Sequence, residues 1–277
     1  MVYHVRENMI KIRAGFIGAG NMSQALVEGL LDSEGISSAQ LVAMDPDPEV
    51  SSILAERGVA MVGSLDELLE NCELVILAVK PQIAEEVLLR ISPFITPQKM
   101  ILSLMAGVTT LKIESFLSKG SVVVRCMPQT LVRIRAGSCA ICAGTNASIP
   151  DLETVQELLE LVGEVVTVRE SQMDAVTGLS GSGPAFVYSM IESLAAGGVR
   201  EGLTKEVALK LAAQTMLGSS RMIMHSDLTP SQLKEQVTSP GGTTIAGLEV
   251  MERNNIDAIL RDAVTAATHR SRELGNS

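Results

Sequence analysis

The first 170 residues alternate short apolar, β-branched runs with amphipathic stretches, and this rhythm constrains the fold more than any other feature. Residues 74–79 are apolar throughout, as expected for a strand buried on both faces of a parallel sheet. Strands that alternate with helices form βαβ units, so the pattern predicts an α/β, Rossmann-type doubly wound sheet. The predicted strands cover residues 13–18, 40–44, 74–79, 100–104 and 121–125, and the predicted helices cover 22–31, 49–57, 83–91 and 111–117.

The rhythm changes at about residue 171. No β-branched run follows, and Ala, Leu and Met recur at spacings of three and four residues, which is typical of amphipathic helices. Thr204 is placed to begin one helix. Thr229-Pro230-Ser231-Gln232 is placed to begin another, because it combines an N-cap threonine, a proline at the first helical position and a glutamine at the third. We therefore expect one domain over residues 1–170 and a second, all-α domain over residues 171–277.

The second domain has a very apolar Ala, Met and Gly composition with few polar faces. Packing against a second copy of the same chain would cover this excess of apolar surface. The composition therefore predicts a C-terminal dimerisation domain.

Charge and composition exclude several classes of partner. The chain has 22 basic and 32 acidic residues, a formal charge of −10, and no long basic cluster, so nucleic acid is not an expected partner. No apolar stretch approaches the roughly 18 to 20 residues that span a bilayer, and residues 1–13 lack the continuous apolar core of a signal peptide. We expect a soluble cytoplasmic protein with no membrane contact.

Cysteine and histidine usage predicts neither a disulfide scaffold nor a metal site. Four cysteines are too few for a disulfide scaffold in 277 residues. Cys139 and Cys142 have the spacing of a redox motif but lie in an apolar run, so we interpret them as small core residues. The three histidines are widely scattered, and no metal is expected.

Gly18-Ala19-Gly20-Asn21-Met22-Ser23 follows the first predicted strand and opens the first predicted helix. This is the context of a dinucleotide fingerprint, in which the first glycine makes the turn and the second lets the backbone approach a pyrophosphate. The third position carries a small residue, Ser23, rather than glycine. The alternative interpretation of this motif is an ordinary tight turn.

Asp45 ends the second predicted strand, where a carboxylate can accept hydrogen bonds from an adenosine ribose. The alternative is a turn aspartate, since Asp45-Pro46-Asp47-Pro48 is also a turn signal. Residues 44–56 contain no cation for a 2′-phosphate. We therefore expect NADH to be used at least as well as NADPH.

Two further segments follow strands in the way that cofactor-binding loops do. Ala78, Val79 and Lys80 close the buried strand at residues 74–79, and Ala106 follows the strand at residues 100–104. The carboxyl edge of a parallel sheet is where a dinucleotide lies, so their backbone is expected to contact it. Lys80 is alternatively a solvated strand end.

The segment 239–244, Ser-Pro-Gly-Gly-Thr-Thr, precedes an apolar helical stretch that is predicted to begin at Ile245. Glycines let the main chain approach a ligand, and a helix start presents unpaired N–H donors with a favourable dipole. Thr243 or Thr244 can add a hydroxyl. The pattern indicates a cradle for a carboxylate or phosphate, and the alternative is a loop with a Ser/Thr N-cap.

Residues 174–184 contain two serines among glycines, but neither serine has the flanking glycines of a hydrolase nucleophile. We interpret the segment as close helix packing through small residues, with a supporting role near a site as the alternative.

Taken together, these segments resemble the Δ1-pyrroline-5-carboxylate reductase family, in order and over nearly the whole chain. The segments that carry the resemblance are GFIGAGNM (15–22), AVKP (78–81), AGVT (106–109), VRCMP (124–128), residues 174–185, P-x-x-LK (230–234) and SPGGTTI (239–245). The last two are far more specific than a Gly-x-Gly fingerprint.

The resemblance implies hydride transfer from NADH or NADPH to the imine carbon of 1-pyrroline-5-carboxylate, which yields proline in the last step of its biosynthesis. It implies that Ser239, Gly242, Thr243 and Thr244 bind substrate and that Thr244, the catalytic residue, hydrogen-bonds the ring nitrogen. It also implies a homodimer or a larger homo-oligomer such as a ring of dimers. The residues expected to bind the cofactor are Gly18, Ala19, Gly20, Asn21, Met22, Asp45, Ala78, Val79, Lys80 and Ala106.

The chain departs from the family pattern in two places. Family members commonly read Met-Pro-Asn-Thr-Pro where this chain has Met127-Pro128-Gln129-Thr130-Leu131, which brings the shape of that loop and turnover into question. Residues 1–11 are an additional segment, which we interpret as a disordered tail.

Two alternatives follow from the same residues. The first is another imine or β-hydroxyacid reductase of similar architecture. A β-hydroxyacid enzyme would place a catalytic lysine early in the helical domain, and residues 171–201 contain none. A regulator that binds nucleotide and dimerises without turnover is suggested by Gln129 and Leu131. The intact segment 239–244 argues against that second alternative.

Overall fold

The computed structural model describes residues 10–275. Its strands are β1 (Ala14–Ile17), β2 (Leu41–Met44), β3 (Ala60–Met61), β4 (Leu74–Leu77), β5 (Met100–Ser103), β6 (Val122–Met127), β7 (Gly137–Ala143) and β8 (Gly163–Thr167). Its α-helices are α1 (Asn21–Asp32), α2 (Pro48–Glu56), α3 (Leu65–Glu70), α4 (Ala84–Ile91), α5 (Thr110–Glu114), α6 (Ile149–Leu159), α7 (Met173–Val176), α8 (Gly183–Arg200), α9 (Lys205–Met224), α10 (Pro230–Gln236), α11 (Thr243–Arg253) and α12 (Ile256–Gly275).

Residues 1–9 of the predicted tail lie outside the described residues. Ile10 is described, and its backbone N–H donates to the Gly35 carbonyl over 3.0 Å. The predicted tail is therefore too long by at least this residue.

The eight strands form one sheet in the order β3-β2-β1-β4-β5-β6-β7-β8. The prediction of a doubly wound, Rossmann-type sheet followed by a helical region is confirmed. All neighbours pair in parallel except β6 and β7, which are antiparallel, and this reversal was not predicted. Only residues 128–136 join these two strands, and a parallel pairing needs a crossover of a dozen or more residues.

The predicted burial of β4 on both faces is confirmed. Its four residues are all fully buried, and they contribute alternately to two apolar clusters on opposite faces of the sheet. Leu74 and Ile76 pack in one cluster with Leu26 of α1, whereas Val75 and Leu77 pack in the other with Leu88 of α4. Each such side chain contributes roughly 1.5–3 kcal/mol when it is removed from water. This central strand therefore fixes the position of the loop that follows it.

The described residues divide into two compact units. One comprises residues up to Gly181 together with those from Ala267 onward, and the other comprises Ser182–Ala266. The predicted domain boundary between residues 170 and 171 stays a prediction.

In the second unit, α8 packs on α9 through a small cluster of Ala195, Ala208 and Ala212 with Ile191. The predicted starts of α9 at Thr204 and of α10 at Thr229 are confirmed. The Thr204 hydroxyl accepts the Val207 N–H over 3.3 Å, and Thr229 and Gln232 form the reciprocal hydrogen bonds of a capping box.

Residues 174–184 are helical, with a π-helical turn at Thr177–Gly181 between α7 and α8. The Ser180 hydroxyl donates to the Val176 carbonyl over 3.1 Å, as a serine within a helix does. Asp174 accepts a hydrogen bond of 2.7 Å from the Ser271 hydroxyl. The hydrogen bond to Ser271 attaches the segment to α12, whereas an added Cβ at Gly183 would meet nothing within 4 Å, so close packing through the small residues stays a prediction.

Within residues 10–275, none of the helices combines the length and the apolar character that crossing a membrane requires.

Candidate functional site

The turn between β1 and α1 has the backbone geometry of a phosphate-binding loop. Gly18 has a φ of +99°, and a Cβ there would lie 2.8 Å from the Ala78 carbonyl oxygen. Gly20 is the N-cap of α1, has no side-chain cap, and faces open space, since a Cβ there would meet nothing within 4 Å. The turn thus packs tightly against the sheet at Gly18 and leaves room for an anion at the start of α1.

Two buried polar residues that the sequence analysis did not assign hold this turn in shape. The Ser23 hydroxyl donates to the Gly18 carbonyl over 2.6 Å, and the Gln24 amide donates to the Ala19 carbonyl over 2.9 Å. Ser23 occupies the third position of the fingerprint, where the sequence indicated only a requirement for a small residue. The position of Ser23, five residues after Gly18, was the sequence signal that could have predicted this hydrogen bond.

Asp45 is attached to the same turn. One carboxylate oxygen accepts the Ala19 N–H over 2.7 Å, and the other accepts the Asp47 N–H over 2.9 Å. Both interpretations of Asp45 therefore describe part of its environment, since it makes an Asx turn and also lies beside the fingerprint loop. The two N–H donors fix the orientation of the Asp45 side chain directly after β2.

A cleft of 520 Å³ opens at the carboxyl end of the sheet. It brings together six of the predicted cofactor residues: Gly18, Gly20, Asp45, Ala78, Val79 and Lys80. It also contains residues that the sequence analysis did not assign: Ile17, Met44, Pro46, Leu65, Ile83, Glu86, Val87 and Arg90. A cleft with apolar walls and a few convergent charges is typical of a cofactor site.

The four other predicted cofactor residues do not line this cleft. Ala19 is fully buried and contributes its N–H to Asp45. Asn21 and Met22 form the first turn of α1, so their backbone N–H groups lie where a helix supplies no internal acceptor. Ala106 packs on a small apolar cluster around Met127 and Met173 in the loop that follows β5.

The cleft contains two cationic side chains, Lys80 and Arg90, that lie far from Asp45 in sequence. Arg90 comes from α4, and Lys80 follows β4. Arg90 forms an i,i+4 ion pair with Glu86, at 3.9 Å between Nη1 and Oε1. Arg57, the first cation after Asp45 in sequence, instead pairs with Asp32. The charged side chains that line the cleft thus come from different βα units.

The start of α11 forms the second group of predicted site residues, which belongs to the other compact unit. The helix begins at Thr243 with Gly242 as its N-cap, so the predicted start at Ile245 is wrong by two residues. The Gly242 N–H closes a turn on the Ser239 carbonyl over 2.8 Å. Thr243 and Thr244 therefore lie in the first helical turn, where their N–H groups have no internal acceptor.

The turn leaves no room for a side chain at Gly242. A Cβ there would lie 2.5 Å from the Ser239 hydroxyl oxygen and 2.9 Å from its carbonyl oxygen. Both threonine side chains are exposed in the analysed chain. The arrangement presents backbone donors and two hydroxyls at the positive end of an eleven-residue helix, which suits a carboxylate.

Gln129 and Leu131, which depart from the family pattern in the segment 127–131, contact each other. Gln129 is buried and is the N-cap of a 3-10 helix at Thr130–Ile134. Its side-chain oxygen accepts the Leu131 N–H over 3.1 Å. A proline at position 131 would lack this N–H, so the glutamine satisfies a donor that the leucine introduces.

The four cysteines are free and buried, and the core interpretation of Cys139 and Cys142 agrees with this burial. Burial raises the pKa of the Cys72 thiol to about 11. Burial, followed by the adjacent Glu170 carboxylate, raises the pKa of Cys142 to about 12. These thiols are protonated at neutral pH and are not nucleophiles.

Comparison with known proteins identifies the family. Residues 170–274 match the sequence family described as pyrroline-5-carboxylate reductase dimerisation, and residues 13–107 match the one described as NADP oxidoreductase coenzyme F420-dependent. The pyrroline-5-carboxylate reductase of Methanosarcina acetivorans is 40% identical over 264 residues, which cover 95% of this chain and 98% of that protein.

Solved structures agree with the sequence comparisons. The Plasmodium falciparum pyrroline carboxylate reductase with NADP bound is 33% identical with a TM-score of 0.87, covering 97% of this chain and 100% of its own. The Coxiella burnetii pyrroline-5-carboxylate reductase is 33% identical with a TM-score of 0.88, and the match covers 95% of this chain and 98% of that protein. Because relatives of 33–40% identity match over 95% or more of this chain, the chain belongs to the pyrroline-5-carboxylate reductase family.

Proposed function

We propose that the protein reduces the C=N bond of 1-pyrroline-5-carboxylate to give L-proline, with NADH or NADPH as the reductant, in the last step of proline biosynthesis. The observation that carries the proposal is the start of α11. There a turn that has room only for glycine at position 242 presents unpaired backbone N–H groups beside two threonine hydroxyls.

The residues of the cleft fit a dinucleotide. Open space beside Gly20 and the free first turn of α1 suit the pyrophosphate, and the Asp45 carboxylate suits the ribose hydroxyls. Ala78, Val79 and Lys80 line the same cleft, and Ala106 lies in the next loop along the sheet. When bound, NAD(P)H supplies the hydride.

The substrate role falls on the start of α11. The N–H groups of Thr243 and Thr244, beside Ser239 and the Gly242 turn, would hold the substrate carboxylate, and the Thr244 hydroxyl would hydrogen-bond the ring nitrogen. The imine carbon gains a hydride and the nitrogen a proton, so correct placement of the ring is the main task of these residues.

The proposal includes assembly and location. A homodimer, or a ring of dimers, is supported by the match to a dimerisation family and by the exposed apolar side chains of α8 and α9, such as Tyr188, Leu194 and Leu211. A cytoplasmic location is supported by the four cysteines, which are all free thiols.

The test is oxidation of NADH and NADPH with 1-pyrroline-5-carboxylate, run on wild type and Thr244→Ala. Loss of a hydrogen bond made to the transition state is expected to lower kcat/KM about 10 to 1000-fold. Thr265→Ala is the matched control, because that hydroxyl bonds only to the Arg261 carbonyl within α12.

An unchanged rate in Thr244→Ala would remove Thr244 from the mechanism. Absence of wild-type turnover with both cofactors would contradict the proposed activity itself and favour a regulator that binds nucleotide.

A further inference from the structure

A charged cluster lies at the carboxyl end of β6, apart from the residues assigned above. Arg125 has a side chain that is only 3% exposed, and its Nη1 donates to Glu170 Oε1 over 2.5 Å. The other oxygen of Glu170 accepts from the Thr110 hydroxyl over 2.6 Å and from the Thr110 N–H over 3.2 Å. Cys142 Sγ is 3.6 Å from the same oxygen.

Glu170 connects parts of the chain that are far apart in sequence. Thr110 is the first residue of α5, 60 residues before Glu170, and it directly follows the loop 106–109. Because both donors of Thr110 bond to one carboxylate oxygen, Glu170 fixes the end of that loop. Ala106, a proposed cofactor residue, lies at the start of the same loop.

The loop 106–109 also packs closely against the C-terminal end of α12. Gly107 has a φ of +75°, and a Cβ there would lie 2.9 Å from the Cα of Gly275. The loop is thus confined between the C-terminal end of α12 and the Glu170 carboxylate. A loop held at two points has little freedom to adjust around a ligand, so its shape depends on both contacts.

The ion pair is poorly explained by stability alone. Arg125 Nε and Nη2 are buried and have no hydrogen-bond partner within the described residues, and such orphaned donors are costly. Buried ion pairs are often no better for stability than apolar residues of the same volume. The arrangement instead keeps a carboxylate, oriented by Arg125, at the start of α5.

The charge of Glu170 persists at neutral pH. Burial alone would raise the pKa of its carboxyl, but the hydrogen bonds from Thr110 and Arg125 outweigh that effect and hold the pKa below its usual value. The carboxylate therefore accepts both Thr110 donors across the neutral range.

We propose that Glu170, oriented by Arg125, is a positioning residue that shapes the loop 106–109 for NAD(P)H. This inference rests on the proposed function for the identity of the ligand. Glu170 acts on the cofactor through Thr110 and the loop, and it is assigned no direct contact with the reacting atoms.

The experiment compares Glu170→Gln and Thr110→Val with Glu153→Gln, a matched change at an exposed position of α6. The readouts are the NADH and NADPH dissociation constants without substrate, hydrogen exchange of residues 106–113, thermal unfolding, and the separate values of kcat and KM. Thr110→Val removes one donor without touching the buried charge, so it tests the inference even if Glu170→Gln fails to fold.

We expect Glu170→Gln to weaken cofactor binding roughly 10-fold, the size of a lost charged hydrogen bond, and Thr110→Val to weaken it in the same direction. In both variants, hydrogen exchange should rise locally in residues 106–113, and the cofactor KM should rise by a larger factor than kcat falls. Glu153→Gln should match wild type in every readout. A lower melting temperature with unchanged dissociation constants, or exchange that rises evenly over the chain, would overturn the inference. Binding and exchange are measured without substrate, so a failure of turnover alone would count only against the proposed activity.

Discussion

At the level of single residues, we expect Asp45 to distinguish the two nicotinamide cofactors. Its side chain is held beside the fingerprint turn by two backbone N–H groups, where we expect an adenosine ribose to lie. Arg90 and Lys80 line the same cleft and can offset the charge of Asp45. We expect the balance of these three side chains to set cofactor preference, and NADH used at least as well as NADPH stays a prediction.

Replacing Asp45 by serine should shift this preference toward NADPH. Removal of the carboxylate takes away both the ribose acceptor and the repulsion of a phosphate, so the ratio of kcat/KM for NADPH over NADH should rise roughly 10 to 100-fold. The measurement is steady-state kinetics with each cofactor at saturating substrate.

Asp47→Ser is the control for that change. Asp47 is the N-cap of α2, and serine retains capping ability while removing a charge two residues from Asp45. An equal shift in both variants would mean that general charge, and not the position of Asp45, sets the preference.

Gln129 and Leu131 should behave as a coupled pair. Gln129→Asn shortens the acceptor and Leu131→Pro removes the donor, so either change alone breaks their hydrogen bond. The double variant removes both partners and should be destabilised by about 0.5–1.5 kcal/mol less than the sum of the single changes. Urea unfolding of the four proteins measures this coupling, and strictly additive effects would contradict it.

At the level of elements, the start of α11 depends on the turn that precedes it. Local sequence placed the helix start at Ile245, because Ile245 begins the apolar run. The structure begins the helix two residues earlier, because the Gly242 N–H bonds back to Ser239 and frees Thr243 to take helical geometry. That difference moves both threonines from a loop into the first helical turn, where their N–H groups have no internal acceptor.

Gly242→Ala should damage this element. The added Cβ meets the Ser239 carbonyl oxygen at 2.9 Å, so the turn must open at a cost of about 1–3 kcal/mol. We expect the substrate KM to rise with little change in NAD(P)H affinity, as measured by initial rates and by cofactor titration.

Gly247→Ala in the same helix is the matched control. A Cβ at Gly247 meets nothing within 4 Å in the analysed chain, and alanine favours the helix by roughly 0.5–1 kcal/mol. Equal loss of activity in the two variants would show that the turn at Gly242 is not the sensitive feature.

At the level of the whole molecule, the second compact unit has little core of its own. Its buried apolar cluster consists of three alanines, whereas Leu211 is 54% exposed and Met224 58% exposed on α9. A unit with so much exposed apolar surface is best stabilised by a partner surface.

Leu211→Asp should therefore weaken self-association. An acidic side chain in a buried interface costs about 3 kcal/mol or more, so the dissociation constant should rise more than about 100-fold. Sedimentation velocity over a range of concentrations measures this. Ile149→Asp is the matched control, since Ile149 is 73% exposed in the first unit. A Leu211→Asp protein that associates as wild type does would exclude this face from the interface.

Much of the architecture followed from local pattern. The runs at β1, β2, β4, β5 and β6, the helices α1, α2, α4 and α5 and the capping box of α10 were predicted, because burial periodicity and backbone sterics act over a few residues. The antiparallel entry of β7 and the elements α6 and β8 that follow it were not predicted. The short elements β3 and α3 were missed as well, since two to six residues carry too little periodicity.

By itself, the sequence determined the fold class, the glycine turn after β1 and the chemistry available at residues 239–244. These depend on hydrophobic periodicity and on conformations open only to glycine, both of which are local properties. Only the tertiary structure decided that Arg90 shares a cleft with Asp45, that Glu170 holds Thr110, and that Gln129 satisfies Leu131 within a buried loop. The first two depend on which strands are adjacent in the sheet, so they were settled when distant segments packed together, whereas the third joins residues two apart and depends on the conformation of one loop.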